Sequence, residues 1–279
     1  MTEIAGKTAF ITGGASGIGF AIANALAKRG ANIMLADINQ AALETAKAHF
    51  ADMNVGVDTI LCDVAKPEDM QRAAQATLDR FGKVHLVVNN AGVGLGGEPG
   101  KIKMQDWRWI VDINLMGVVH GVEFFVPHIQ SHGEGGHIVN VASMAGHGAL
   151  AGMAPYHATK FAVVGYSEAL KLELMPHKIG VSILCPGWVK TAIHESASRR
   201  PSGNVDMDAA ENLIMKQVIE SGLPPERVAE WTADCVEADR TYIFTHPEMR
   251  IGIDMRYALL KEDYSATAAH PDFAVAQDG

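Results

Sequence analysis

The sequence predicts an α/β protein with one doubly wound parallel sheet, helices on both faces, in a single domain. Three observations carry that reading. Short apolar runs alternate with longer helical patterns along most of the chain. Right-handed crossovers between such strands would bring all their carboxyl ends, and the polar motifs that follow them, to one edge. No internal repeat and no linker divides the 279 residues into two cores.

The first strand is Thr8 to Ile11, and it runs straight into Thr12-Gly13-Gly14-Ala15-Ser16-Gly17-Ile18-Gly19. Helix formers with an apolar stripe follow from Phe20 and end at Gly30, a glycine suited to a helix C-cap. A second strand, Asn32 to Ala36, ends at Asp37. Strand, Gly-rich turn, helix, strand and acid form the order of a dinucleotide-binding, Rossmann-type unit. Glycines let the backbone approach a pyrophosphate, and the helix start offers free N–H groups to it. Asp37 can accept hydrogen bonds from both ribose hydroxyls, while its charge would repel a 2′-phosphate. With only Ser16 and Ile38 beside it and no cation, the sequence favours NAD over NADP.

The alternation continues through a helix from Asn39 to Phe50, a strand from Val55 to Cys62 ending at Asp63-Val64, and a helix from Pro67 to Phe81. A strand from His85 to Val88 leads into Asn89-Asn90-Ala91-Gly92. Gln105 to His132 reads as one long helical segment, kinked near Pro127. The apolar run from His137 to Ala142 ends at Ser143, and Pro155 opens a helix to about His177. Val181 to Leu184 is a strand ending in Cys185-Pro186-Gly187-Trp188-Val189-Lys190-Thr191. Residues 192–222 then break the rhythm, as a substrate lid placed after a strand's carboxyl end would, with Met207 to Ser221 helical. A helix from Pro225 to Val236 and a strand from Thr241 to Phe244 complete the pattern, with little order expected over 266–279.

Composition excludes several classes. Lys+Arg 23 against Asp+Glu 32 gives a net charge of −9 with no basic run, which argues against a nucleic-acid partner. The 3 cysteines lie far apart without C-x-x-C spacing, so neither a disulfide framework nor a zinc site is expected. His128, His132 and His137 lack metal-site spacing and read as surface histidines. The amino terminus has no leader pattern, and no apolar run reads as a membrane span. A soluble, cytoplasmic protein is expected.

The chemistry concentrates between Ser143 and Lys160. Tyr156 and Lys160 stand four apart on a helix, so both project from one face. A hydroxyl at a strand end, a phenol and an ammonium can then converge. A free phenol titrates at about pH 10, and bringing it near neutrality takes roughly 4 kcal/mol. An ammonium about 4 Å away, at an effective dielectric near 20, supplies that amount. Lys160 is therefore expected to lower the Tyr156 pKa.

Several motifs in order, Thr12-Gly13-x-x-x-Gly17-x-Gly19, Asp63, Asn89-Asn90-Ala91-Gly92, Asn114, Ser143, Tyr156-x-x-x-Lys160 and Pro186-Gly187 through Thr191, resemble the short-chain dehydrogenase/reductase family. The resemblance implies an NAD-dependent alcohol dehydrogenase or ketone reductase with Tyr156 as acid/base and Lys160 lowering its pKa and holding the nicotinamide ribose. It implies that Ser143 binds the reacting oxygen and that Asn114 bends its helix to hold a water in a proton relay. Gly13, Ser16, Gly17, Ile18 and Gly19 would face the pyrophosphate, and Asp37 and Ile38 the adenosine ribose. Asp63 and Val64 would bracket the adenine, Asn90, Ala91 and Gly92 would pass along the cofactor, and Pro186, Gly187, Val189 and Thr191 would grip its carboxamide and pyrophosphate. It also implies a homodimer or homotetramer through the helices around Asn114 and Tyr156.

Met144, His147, Trp188, Ile193 and His194 fall where a small-molecule substrate should border the site. With Leu213, Ile214 and Met215 in the expected lid, they suggest a bulky, largely apolar secondary alcohol, similar to those of aromatic, lignin-derived or steroid dehydrogenases. A non-catalytic NAD-binding protein would lack the Tyr, Lys or Ser, and all are present. An epimerase or dehydratase of the related extended branch fits less well, given the three residues between Gly13 and Gly17 and the asparagine at 114.

Overall fold

A computed structural model of the chain describes residues 2–203 and 216–273. Strands β1 (Thr8–Thr12), β2 (Asn32–Asp37), β3 (Val57–Leu61), β4 (Leu86–Asn89), β5 (Gly136–Val141), β6 (Ile179–Cys185) and β7 (Tyr242–Phe244) form one sheet. Its order is β3-β2-β1-β4-β5-β6-β7, and every pair is parallel. The order reverses between β1 and β4, which opens a crevice at their carboxyl ends. The Gly-rich turn and the Asn89–Gly92 segment leave the sheet there, side by side.

Helices cover both faces. Helices α1 (Gly17–Lys28), α2 (Gln40–His49) and α7 (Pro225–Glu237) bury Ile22, Leu26, Leu43, Val228 and Val236 against Ile11, Ile33 and Val139. On the opposite face, α3 (Pro67–Phe81), α5 (Gly117–His132) and α6 (Ala154–Leu174) bury Met70, Val122, Phe125 and Leu170 against Phe10, Val87 and Ile138. The Phe10 and Phe125 rings stack with centroids 4.1 Å apart and neither is exposed. Truncating either to alanine would cost about 3–5 kcal/mol. Gly121 lets α5 lie on β4: a Cβ there would fall 1.8 Å from Asn89 Oδ1. Beneath that contact Asn89 Nδ2 donates to Asn140 Oδ1 (2.9 Å), and Asn140 Nδ2 to Ser167 Oγ (2.9 Å).

The long segment after β4 departs from expectation. Helix α4 (Met104–Val111) passes into a five-residue π turn, Asp112–Met116, before α5 begins. Pro127 sits inside α5 without ending it. Its ring would clash with the carbonyl of Glu123, but both residues are on the exposed side, where water can satisfy that group. The helical run Met104–His132 is, by length and composition, apolar enough to cross a membrane, against the expectation of no such run. Its apolar face is the core-packing face formed by Ile110, Val118, Val122 and Phe125.

His137 is also unlike its expected surface setting. It is fully buried on β5, where Nε2–H donates to Ser182 Oγ (2.8 Å) and Nδ1 accepts from Thr2 Oγ1 (3.1 Å). That tautomer follows because Ser182 Oγ gives its own proton to the Arg240 carbonyl. Burial drives the His137 pKa down to about 4, against the opposing pull of Asp239. The unfolded chain, titrating near 6.5, then takes up the proton first as pH falls. Stability is whole above about pH 6.5 and falls by about 3 kcal/mol as pH drops towards 4. His137→Asn should flatten this part of the acid response, measured as urea midpoints from pH 7 to 4. Equal pH slopes in the two proteins would refute the assignment.

By internal contacts the chain divides into two compact units, Met1–Thr245 and His246–Gly279. The first is the sheet and its helices. The second carries helix α8 (Arg250–Ala269), which extends through Ala266–Ala269, where little order was expected. The expected boundary at 265 thus falls inside a helix, because the alanines near its end are strong helix formers. Of the expected lid, residues 193–199 form a 3-10 helix and 216–220 are helical; Leu213, Ile214 and Met215 lie outside the described residues.

Candidate active site

The crevice begins with the turn after β1. Gly17 has φ +54, in the left-handed region, and opens α1. A Cβ there would meet Thr191 Cγ2 at 3.2 Å, so the segment leaving β6 lies against this turn. Gly19 is required by proximity: its Cβ would stand 2.3 Å from the Gly13 carbonyl and 2.4 Å from Asn90 Nδ2. Ser16, at the N-cap, makes no side-chain capping bond, and no acid occupies the first turn of α1. The N–H groups at that helix start therefore face outward with the positive end of the helix dipole, suited to a pyrophosphate.

Asp37, at the end of β2, accepts from the Ala15 N–H (3.2 Å) and the Asn39 N–H (3.1 Å). Its carboxylate is thereby held at the rim of the turn, with Ile38 exposed beside it. The turn is tied to β4 by Thr12, whose Oγ1 accepts from the Asn90 and Ala91 N–H groups (2.9 and 3.0 Å). Asn90 Nδ2 in turn donates to the Thr12 and Gly13 carbonyls (3.0 and 3.1 Å). Asn90 thus fixes the turn's shape from the side. Asp63 accepts from the Ala65 N–H, and its own N–H donates to Asp69. Val64 is buried under Gly117 of α5, while its carbonyl takes the His120 Nδ1 proton (2.8 Å).

Asn114 sits in the π turn, where both ends of its amide bind one residue of the segment leaving β4. Oδ1 accepts from the Val93 N–H (2.8 Å) and Nδ2 donates to the Val93 carbonyl (2.9 Å). Nδ2 also reaches Thr159 Oγ1 at 3.3 Å. Gly92 lies between two site residues: a Cβ there would meet Asn114 Oδ1 at 3.4 Å and Lys160 Nζ at 3.7 Å. The structure thus brings Gly92, Asn114 and Lys160 together.

Ser143 ends β5 and caps the short helix that follows, accepting from the Ala145 N–H (3.1 Å). Its hydroxyl reaches the Pro186 carbonyl at 3.3 Å and lies close enough to the Tyr156 phenol to favour its ionised form. Lys160 is buried and donates to the Val141 carbonyl (2.9 Å), with Nζ 5.7 Å from the Tyr156 ring centroid. Burial lowers the Lys160 pKa to about 8. Burial also raises the Tyr156 pKa, opposed only by the nearby Ser143 hydroxyl. This corrects the expectation that Lys160 lowers it: the ammonium is directed at a carbonyl, and both groups carry a desolvation cost. At neutral pH the phenol is a proton donor.

The residues expected to border substrate have varied surroundings. Met144 packs with Val118, Ala142 and Val163. His147 approaches Cys185 Sγ at 3.3 Å and packs edge-on against the Tyr242 and Phe244 rings. The Trp188 carbonyl accepts from the Leu223 N–H, pairing the segment after β6 with the chain before α7, as Val189 also does. Ile193 opens the 3-10 helix, and the next residue, His194, has a buried Nδ1 with no hydrogen-bond partner among the described residues. Val93, Leu95 and Ile110 form a buried apolar wall against which Trp109 and Tyr156 pack.

Sequence reading missed Asp106 and Arg200. Asp106 is fully buried in the first turn of α4 and accepts from Arg200 Nε (2.8 Å), Ser202 N–H (3.1 Å) and Ser202 Oγ (2.7 Å). Burial opposes its ionisation, but these three bonds prevail and hold its pKa down. Breaking such a pair costs about 3–5 kcal/mol. The segment after Thr191 is clasped to α4 by this pair, 94 residues apart in sequence. No local pattern announces it.

Among the described residues, His85, His132 and Glu134 come within 4.8 Å of one another by their ligand atoms. Their lone pairs are engaged. His85 Nδ1 accepts from the Thr8 N–H and His132 Nδ1 from the Glu134 N–H, while Glu134 holds Lys7, Lys83 and His85. The cluster is an ion-pair knot rather than a metal site.

Comparison with known proteins follows the same lines. The family model described as short chain dehydrogenase matches residues 7–202. A CLA biosynthesis dehydrogenase/reductase of Lactiplantibacillus plantarum is 33% identical over 94% of this chain and 96% of its own length. A C alpha-dehydrogenase of Sphingobium sp. (strain NBRC 103272 / SYK-6) is 33% identical over 98% of this chain and 92% of its own. Among solved structures, a short chain dehydrogenase/reductase from Burkholderia phymatum in complex with NAD superposes with a TM-score of 0.90 at 35% identity, covering 94% of this chain and 97% of that one. With the crevice, the glycine turn, and the Ser143, Tyr156 and Lys160 cluster at one sheet edge, the chain belongs to the short-chain dehydrogenase/reductase family.

Proposed function

We propose that the chain, an NAD-dependent alcohol dehydrogenase/reductase, interconverts a bulky, largely apolar secondary alcohol and its ketone, of aromatic, lignin-derived or steroid-like kind. One observation carries this reading: Tyr156, with Ser143 near its phenol, packs on the apolar wall of Val93, Leu95 and Ile110. A reacting oxygen brought to Tyr156 and Ser143 would place its substituents against hydrocarbon, where a polar or charged substrate would lose hydration without compensation.

Bound NAD supplies the acceptor for the electron pair of the alcohol carbon. Asp37 would position the adenosine ribose, and the outward N–H groups of α1 would hold the pyrophosphate. Ser143 holds the reacting oxygen by a hydrogen bond. Tyr156 moves the proton: it gives it to the oxygen in ketone reduction and takes it in alcohol oxidation. Lys160 carries a positive charge below about pH 8 and lies beside Gly92, where the nicotinamide ribose would pass. Asn114 holds the wide turn against Val93 through both ends of its amide. The active form is a homodimer or homotetramer.

The test is a substrate panel read by NADH absorbance, with NAD and NADP in parallel. Benzylic secondary alcohols and hydroxysteroids should exceed small polar alcohols in kcat/KM by about 100-fold or more, at about 1–3 kcal/mol per pocket contact. Equal efficiency towards glycerol or a short 2-hydroxy acid would overturn the substrate assignment while leaving the family intact.

A further inference from the structure

We propose that helix α8 is a self-association element that pairs antiparallel with α8 of a second copy of this chain. The helix has 20 residues and none is buried. In proteins most helical stability comes from packing of an apolar face rather than from propensity. Four apolar residues, Ile253, Tyr257, Leu260 and Tyr264, follow one another at steps of four, three and four, which makes a continuous seam of the coiled-coil type. Tyr257, Leu260 and Tyr264 are exposed. The opposite row, Ile251, Met255 and Leu259, is in line with Glu262, whose charge interrupts it.

The charges beside the seam choose the occupant. Asp254 and Lys261 flank it on one side, Arg256 and Asp263 on the other. When two copies run antiparallel about the middle of the seam, Tyr257 meets Leu260 of the second copy and Ile253 meets Tyr264. Asp254 then stands beside Lys261 of the second copy, and Arg256 beside Asp263. Both flanking pairs are opposite in sign, and symmetry makes each twice. A parallel pair would instead place Arg256 beside Lys261, like against like. The helix is therefore complementary to itself in one orientation. Its three basic residues, Arg250, Arg256 and Lys261, are balanced by Asp254, Glu262 and Asp263, so it lacks the basic excess that holds an amphipathic helix to an anionic lipid surface.

The experiment is sedimentation velocity of the full chain across a micromolar concentration series. Lys261→Glu places two like pairs in the antiparallel arrangement and should weaken association about tenfold or more. Tyr257→Asp should abolish this contact, leaving an assembly of half the wild-type size. Asp254→Lys combined with Lys261→Glu restores opposite signs and should restore association. NADH binding by each variant shows that the first unit is folded. Wild-type association in Lys261→Glu and Tyr257→Asp, or a double variant that stays apart, would overturn the proposal. So would flotation of the wild-type chain, but not Tyr257→Asp, with phosphatidylglycerol vesicles, which would assign the seam to lipid.

Discussion

Tyr156→Phe is expected to lower turnover by about a thousandfold or more, the upper part of the range for loss of a general acid/base. The substitution removes one oxygen and keeps the ring that packs on Val93, Leu95 and Ile110, so the site should retain its shape. NADH binding, followed by fluorescence, should stay close to wild type, because the glycine turn and Asp37 are untouched. Loss of turnover without loss of binding is the signature of a group acting on the reacting atoms. Activity within tenfold of wild type would remove Tyr156 from the chemistry. The wild-type pH profile gives a second readout. Burial holds the phenol protonated well past neutrality, so ketone reduction should be sustained at neutral pH, while alcohol oxidation climbs into the alkaline range as the phenol ionises. An oxidation rate that is flat from pH 7 to 10 would contradict this.

Asp37→Asn is expected to move the ratio of kcat/KM for NADP over NAD upward by about 10- to 100-fold, corresponding to about 1.4–2.8 kcal/mol. The wild-type carboxylate is fixed by the Ala15 and Asn39 N–H groups, so it cannot swing away from a 2′-phosphate. Asparagine keeps an acceptor for those donors and removes the charge. Asp37→Ala removes both, and should lower efficiency with either cofactor while shifting the ratio in the same sense. Measured with one substrate and both cofactors, an unchanged ratio in Asp37→Asn would show that charge does not set the preference.

Much of this molecule was legible in the sequence where local pattern and tertiary role coincide. Thr8 to Asp37 reads as strand, turn, helix, strand because buried parallel strands are apolar throughout, and the turn needs glycine at 17 and 19. Pro67 and Pro225 start helices as their fixed φ favours. Tyr156 and Lys160 share a face for the helical reason given by their spacing, yet spacing could not show that Lys160 would be directed at the Val141 carbonyl. That hydrogen bond belongs to a neighbouring strand. The apolar period continues through Asn114, so periodicity alone does not show the π turn; the bend there was implied only by the family resemblance, and a pair of hydrogen bonds to Val93, 21 residues away, holds it. His137 was misread because a polar residue in an apolar strand looks like an edge residue until Ser182 and Thr2 are found beside it. The seam of α8 was present in the sequence, at Ile253, Tyr257, Leu260 and Tyr264, and could have been found by counting its steps.

The widened coil at Asp112–Met116 carries one more consequence. An extra residue in a single turn advances every later side chain by about 100° around the axis. Ile110 and Val118, on either side of that turn, are both buried, each in its own apolar cluster. Deleting one residue inside 112–116 would restore uniform pitch and, with it, rotate either the substrate-side wall or the sheet-side hydrophobes out of register. Evolution of this enzyme's specificity through α4 is therefore constrained by angle as well as by residue size.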